Sequence, residues 1–332
     1  MTDRLTICLV GAGSSYTPEI VHGLLGLSPE RLPIGAVHMT DIDERRLSIM
    51  AGLSRRMVAA AGSDVEVRDD VSLDAMLQGA DFVVTEVRVG GMEARYLDES
   101  IPLKYGIIGQ ETTGPGGMMK ALRTIPPMIE IARAVERVCP DAFILNYTNP
   151  SGIVTEAVTK HTGARFVGLC SGLPGITQRI REKLADVYPD LHVYCVGLNH
   201  LGFVHRMVSD GRDVTADAIA RLYSQDERAG VDNAQMAVAR LVNTIDAVPI
   251  SYVNYFYRRR QRVEQAQAAP ETRAQAIMKI QKDVFEEAAR QDVHTKPQAL
   301  AKRGGGGYSN VTFSVMDAIR NDTGAEIACS VP

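Results

Sequence analysis

The stretch "LTICLVGAGSSYTPEIVHGLLGL", residues 5–27, decides the fold. Its first six residues form an apolar run of strand length, and the run ends at two glycines. Gly11 and Gly13 fit a tight turn, Thr17 can cap the helix that follows, and Pro18 suits a first helical turn. A G-x-G turn between strand and helix lets backbone N–H groups, including that of Ser14, and a helix N-terminus approach a pyrophosphate. Tyr16 stands where the third glycine of G-x-G-x-x-G would be, so the turn alone reads equally well as a plain connection. Asp41, ending "AVHMTDID" (residues 36–43), adds to the dinucleotide reading. An acid there can accept the ribose hydroxyls of NAD and repels the extra phosphate of NADP.

Working outward, short apolar runs keep alternating with amphipathic segments. "VEVRDD" (65–70), "DFVVTEVRVGG" (81–91) and "AFILNYTNP" (142–150) read as strands. "RRLSIMAGLSRRMVAAAG" (45–62), "SLDAMLQGA" (72–80), "GIVTEAVTKHT" (152–162) and "MKALRTIPPMIEIARAVERVC" (119–139), the last with a Pro-Pro interruption, read as helices. This order predicts an α/β fold with a Rossmann-type doubly wound sheet over residues 1–170. The alternation then stops. "QMAVARLVNTI" (235–245) and "ETRAQAIMKIQKDVFEEAARQ" (271–291) look helical, which predicts a second, mainly helical α+β substrate domain over 171–332.

The chain has 332 residues, 45% of them hydrophobic, and a formal net charge of -4. That charge offers no field to gather nucleic acid or an anionic membrane, and "RRRQR" (258–262) reads as a solvated helix face. Small-molecule chemistry is the expectation. Five cysteines without a C-x-x-C pair, no signal-peptide pattern and no apolar run of membrane-spanning length predict a reduced, cytoplasmic protein.

Two residues stand apart from the packing pattern. Cys170 in "GLCSGLPG" (168–175) follows the strand-like "ARFVG", and its side chain can pack, attack or bind metal. His200 in "VGLNHLGF" (196–203) follows the strand-like "LHVYCV"; alone it would read as a structural histidine. If both end parallel strands, a thiolate and an imidazole meet as two ligands of a divalent transition metal with positions left open. The other four cysteines read as buried packing.

Several stretches together resemble family 4 of the glycoside hydrolases, the NAD- and metal-dependent glycosidases: "GAGSSYTPEIV", "VRVGGMEARYLDESIPLKYGIIGQETTGPGGMMKALRTIP", "NYTNPSGIVTEA" and "GLNHLGF". "IPLKYGIIGQETTGPGG" (101–117) is similar to the branch acting on 6-phosphoglycosides. The resemblance implies bound NAD and a divalent metal, with Mn²⁺ expected. It further implies oxidation at C3 of the sugar, removal of the C2 proton, elimination of the aglycone, addition of water and return of the hydride.

Carried over residue by residue, the resemblance makes Cys170 and His200 the metal ligands and Tyr252 the C2 base. A phenol of ordinary pKa, about 10, is a poor base at neutral pH, so a cation must help it. Tyr255 and Tyr257 read as core. Asn149, Arg95 and Arg273 match substrate-binding positions, and Glu111 sits on a glycine-rich loop suited to covering the sugar or to holding its own backbone N–H groups. The expected substrate is a phosphorylated disaccharide or glucoside, and the expected assembly a homodimer or homotetramer.

Two positions depart from the pattern. Phospho-α-glucosidases of the family carry Asp after the metal cysteine, where Ser171 stands here and cannot act as a carboxylic acid. The phospho-β branch carries Asn in C-N-V-P, and "CSGLP" is one residue longer before its proline; a β preference follows. "NDTGAEIACSVP" (321–332) resembles a strand that in the family leads into a further C-terminal segment, so a short C-terminus is expected. "KRGGGGYSN" (302–310) is expected to be mobile. The alternatives are a 2-hydroxy-acid dehydrogenase using His200 for proton transfer, or a non-catalytic NAD-binding protein.

Overall fold

The computed structural model describes residues 4–223, 241–242, 244–304 and 307–331. The chain divides into two compact units, one of Met1–Cys170 with Ala268–Pro332 and one of Ser171–Gln267. The last 65 or so residues do not follow the expected assignment, for a reason visible in their packing.

In the first unit, β1 (Leu5–Val10), β2 (Ile34–Thr40), β3 (Glu66–Asp69), β4 (Phe82–Thr85), β5 (Phe143–Asn146) and β6 (Arg165–Gly168) form one parallel sheet in the order β3-β2-β1-β4-β5-β6. This is the doubly wound order, whose reversal between β1 and β4 opens a crevice at the strands' carboxyl ends. Alternation along β1 supplies both cores. Ile7 and Leu9 join the cluster under α1 (Thr17–Leu25) and α2 (Glu44–Ala60), while Cys8 and Val10 join the opposite one under α5 (Gly114–Val138) and α6 (Ser151–His161).

The helices Arg273–Ala289 and Tyr308–Asn321 bury Val284, Ala288, Phe313, Val315 and Met316 in the α1/α2 cluster. Gly23 of α1 permits the approach, since a Cβ there would lie 2.2 Å from the Ser309 Cβ. Arg56 of α2 donates to the carbonyls of Ala288 (2.6 Å) and Val293 (2.9 Å), satisfying the end of the helix Arg273–Ala289. Amphipathic pattern alone could not assign these helices to one core or the other.

The second unit holds α7 (Gly172–Leu184), β7 (His192–Leu198), β8 (Leu201–Ser209), β9 (Arg212–Asp213), α8 (Thr215–Leu222) and β10 (Val248–Pro249). Its sheet is antiparallel, in the order β10-β8-β7 with β9 on β8. Ile180, Leu184, Val204, Met207 and Ile219 form its core.

Several local expectations change. Thr17 donates to the Ala12 carbonyl (2.8 Å) instead of capping α1. α5 runs unbroken through Pro126 and Pro127. Most of "QMAVARLVNTI" lies outside the described residues, as do Gly305 and Gly306 of the glycine run. "NDTGAEIACSVP" forms only a bridge, Ser330 to Gly168. Cys8 and Cys139 are buried and Cys195 partly so, but Cys329 is exposed. No helix among the described residues is long and apolar enough to cross a membrane.

Candidate active site

The β1–α1 turn lies at the crevice of the first unit. Gly11 takes φ +89°, and its N–H and that of Ala12 donate to the Thr40 carbonyl at 2.9 and 3.0 Å. A Cβ on Gly11 would lie 2.9 Å from the Glu86 carbonyl carbon, and one on Gly13 would lie 2.8 Å from Asp41 Oδ2. Glycine is therefore required at both positions by close approach, and at Gly11 also by its backbone angle. Asp41 Oδ2 accepts from the Gly13 N–H and Oδ1 from the Asp43 N–H, both at 2.9 Å. Each oxygen keeps a lone pair, so the carboxylate is fixed yet still able to accept from a ligand. Arg46 braces the turn from α2, donating to the Gly13 carbonyl at 3.0 Å.

These residues open onto a cavity of about 740 Å³ within the first unit. Gly11, Gly13, Ser14, Asp41 and Asn149, all singled out from the sequence, line it. The exposed Ile42 with Val71 and Leu73 gives one end apolar walls. Glycine cradle, fixed acid and apolar slot fit a dinucleotide.

A charged cluster adjoins the cavity. Glu111 meets Arg88 (2.5 Å), Arg95 of α4 (Gly91–Lys104; 2.9 Å) and Lys120 of α5 (2.7 Å). Burial by itself would raise the Glu111 carboxyl, but Lys120, Arg88 and Arg95 overcome it and hold the group well below the ordinary carboxylate range. Burial, seconded by Arg88 and Arg95 against Glu111, pulls Lys120 down to about 8. Arg88 and Lys120 line the cavity. Arg95 is buried and also pairs with Glu99 (2.8 Å), so it helps to organise the cluster. The loop's N–H groups are held by Gln110, whose Oε1 accepts from Thr112 and Thr113. Glu111 does not take that local role.

Arg273 is exposed, and its Nη2 donates to the Arg303 carbonyl at 2.6 Å. The guanidinium of Arg303 is buried over the Tyr16 ring, 4.1 Å from its centroid, and lines the cavity. Arg303, Tyr16, Lys120 and Glu86 were all missed from sequence. Glu86 carried a usable signal, since it directly follows an apolar parallel strand much as Asp41 does.

Cys170 is a half-buried cysteine just past β6, at the carboxyl edge of the parallel sheet. His200 is placed differently. It occupies the two-residue turn of the antiparallel β7–β8 hairpin at φ +62°, not the end of a parallel strand. Tyr252 stacks on its ring at 3.8 Å and 12°. Cys170 and His200 belong to different units, and among the described residues no three His, Cys, Asp or Glu side chains gather into a metal cage. The donor types present, a thiol and an imidazole, suit a divalent transition metal with open positions. Tyr255 is partly buried, but Tyr257 is 51% exposed and is not core. Ser171 stands at the N-cap of α7 without a capping hydrogen bond.

The family model described as family 4 glycosyl hydrolase matches residues 6–186, and the model of that family's C-terminal domain matches residues 195–332. A 6-phospho-beta-glucosidase of Escherichia coli (strain K12) is 36% identical over 342 residues, spanning 100% of this chain and 76% of its own length. The 6-phospho-beta glucosidase of Thermotoga maritima, solved with manganese, NAD+ and glucose-6-phosphate, superposes with a TM-score of 0.83 at 31% identity, over 95% of this chain and 73% of that one. A 6-phospho-alpha-glucosidase from gut microorganisms, solved with NAD and glucose-6-phosphate, gives 0.86 at 27% identity, over 99% and 77%. The fold is therefore common to both anomeric classes. Together with the glycine turn and its cavity, these matches place the chain: it belongs to family 4 of the glycosyl hydrolases.

Proposed function

We propose that this chain hydrolyses 6-phosphoglycosides, with 6-phospho-β-glucosides preferred, using NAD and a divalent metal, manganese first. The observation that carries the reading is the likeness, over 95% of the chain, to a 6-phospho-β-glucosidase solved with manganese, NAD+ and glucose-6-phosphate. When bound, the dinucleotide would supply a hydride acceptor for C3 of the sugar and the metal a Lewis acid for its hydroxyl oxygens.

The chain's own residues divide the remaining work. Gly11, Gly13 and Ser14 admit the dinucleotide's phosphates, and Asp41 accepts from its ribose. Cys170 and His200 take the ligand roles, each on its own chemistry. Tyr252, stacked on the His200 ring, removes the C2 proton. Arg88 and Lys120, set by Glu111, offer positive charge to a phosphorylated sugar, and Asn149 on the cavity wall offers hydrogen bonds. Arg95 and Arg273 support that arrangement, through Glu111 and through the Arg303 carbonyl. Ser171 brings no carboxylic acid to the leaving group, which favours the β substrate. In this reading residues 1–170 with 268–332 serve the dinucleotide, and residues 171–267 carry His200 and Tyr252. A homo-oligomer belongs to the same reading: Leu97, Ile101, Met118, Met119 and Leu122 on α4 and α5 are each 46 to 61% exposed. The hydroxy-acid dehydrogenase alternative finds no support in the relatives described above.

The test is cleavage of nitrophenyl 6-phospho-β- and 6-phospho-α-glucoside under reducing conditions, with NAD and Mn²⁺ each supplied or withheld. Cleavage of the β substrate only when both are present, with no accumulating NADH and with loss of activity in Cys170→Ser, is expected. Undiminished cleavage after both are stripped would refute the reading.

A further inference from the structure

Glu86 follows β4 directly, where Gly11 of the dinucleotide turn passes against its main chain, and its side chain forms part of the cavity wall. Both carboxylate oxygens are buried without a hydrogen-bond partner in acceptable geometry among the described residues. An unpaired buried carboxylate is among the costliest polar groups in a folded protein, so the site favours the neutral acid. The surroundings do little to reverse this. Arg303 is the facing cation, but it also lies over the Tyr16 ring and donates to Ser15. Glu19 of α1 adds like charge, itself paired with Lys296 at 2.6 Å. The phenols of Tyr16 and Tyr147 face the group as well. Burial lifts the Glu86 carboxyl to about 7, with the Ser14 hydroxyl and Arg303 offsetting only part of it.

We infer that Glu86 enters the dinucleotide complex as the neutral carboxylic acid and donates its proton in a hydrogen bond to an acceptor oxygen of the bound dinucleotide. The inference rests on the dinucleotide reading of the cavity. A dinucleotide is rich in acceptors and carries an anionic diphosphate. An ionised Glu86 would repel that charge, whereas the neutral acid gives the buried side chain a hydrogen bond of good geometry, which it otherwise lacks. Binding is then proton-linked. Below pH 7 the acid is already protonated and no proton moves. Above it, binding takes one proton from solvent, and affinity falls with the neutral fraction of the free protein, about tenfold between pH 6 and pH 8.

The test is equilibrium NAD binding by the full chain, measured calorimetrically from pH 6 to pH 8 in buffers of different ionisation enthalpy. The wild type should lose about tenfold in affinity and take up close to one proton at pH 8 but almost none at pH 6. Glu86→Gln keeps a neutral donor but has no proton to lose, so whatever its affinity at pH 6, that affinity should stay flat to pH 8. Lys120 also titrates in this range, and a fall that persists in Glu86→Gln would assign the linkage there and overturn the inference. A flat wild-type profile with no proton uptake overturns it without needing the variant. Absence of NAD binding at every pH would instead remove the dinucleotide reading beneath it.

Discussion

At the scale of single residues, the Glu111 cluster makes the sharpest stability prediction. Glu111 is the carboxylate that three buried or half-buried cations share. Replacing it by Gln leaves Arg88, Arg95 and Lys120 facing one another with Glu99 as the remaining acid beside Arg95, and should cost roughly 3–5 kcal/mol. Urea unfolding would show this as a lower midpoint at unchanged slope. The sign with pH follows from the lowered carboxyl. Its stabilisation is complete above the unfolded-state value near 4.3 and is lost only as pH falls through the still lower folded value. The gap between wild type and Glu111→Gln should therefore be widest just above pH 5, narrow in stronger acid, and narrow again toward pH 8, where Lys120 without Glu111 gives up its proton. A gap that widens from pH 5 downwards would contradict the cluster as described. The sequence made Glu111 visible through its glycine-rich loop, but its partners come from three separate segments. Only the folded chain sets Arg88, Arg95 and Lys120 around one carboxylate, so their joint role could not be read beforehand.

At the scale of elements, β1, its turn and α1 were legible because most signals agreed despite Tyr16 at the third-glycine position: strand-length apolar run, glycine pair, proline in the first helical turn, acid at the end of the next strand. The consequence is testable at both glycines. Gly11→Ala meets a positive φ and the Glu86 backbone at once, and should cost about 1–3 kcal/mol of stability along with NAD affinity. Gly13→Ala has ordinary backbone freedom but drives its Cβ into the Asp41 carboxylate, so it should lose NAD affinity at least tenfold with smaller loss of stability. Equal stability losses from the two, measured by thermal unfolding, would argue against this division. The hairpin that carries His200 was harder to read. "LHVYCVGLNHLGF" shows strand character on both sides of Asn199 and His200, yet the preceding alternation suggested one more parallel strand. The left-handed residue at the turn is a histidine where a glycine or asparagine would have advertised the hairpin.

At the scale of the molecule, the doubly wound parallel sheet was legible, whereas the packing of the C-terminal segment on the first unit was not. Helices of one amphipathic period fit any apolar surface, and only the packing of Val284, Leu300, Phe313 and Met316 against α1 and α2 makes the choice. Burial of these four side chains contributes on the order of 10 kcal/mol as an upper bound, comparable with the whole stability of a domain. A chain ending at Gln267 would lose them together with Gln281, Arg303 and Tyr308 of the cavity wall. It should neither bind NAD nor unfold cooperatively; NAD binding by such a fragment would show the segment to be dispensable. The central claim, that the glycoside is cleaved by way of a C2 carbanion and not by direct displacement, has its own direct readout. Hydrolysis of a 6-phospho-β-glucoside in D₂O with NAD and Mn²⁺ should yield glucose 6-phosphate carrying one deuterium at C2, and product formed at full rate with only protium at C2 would contradict the account.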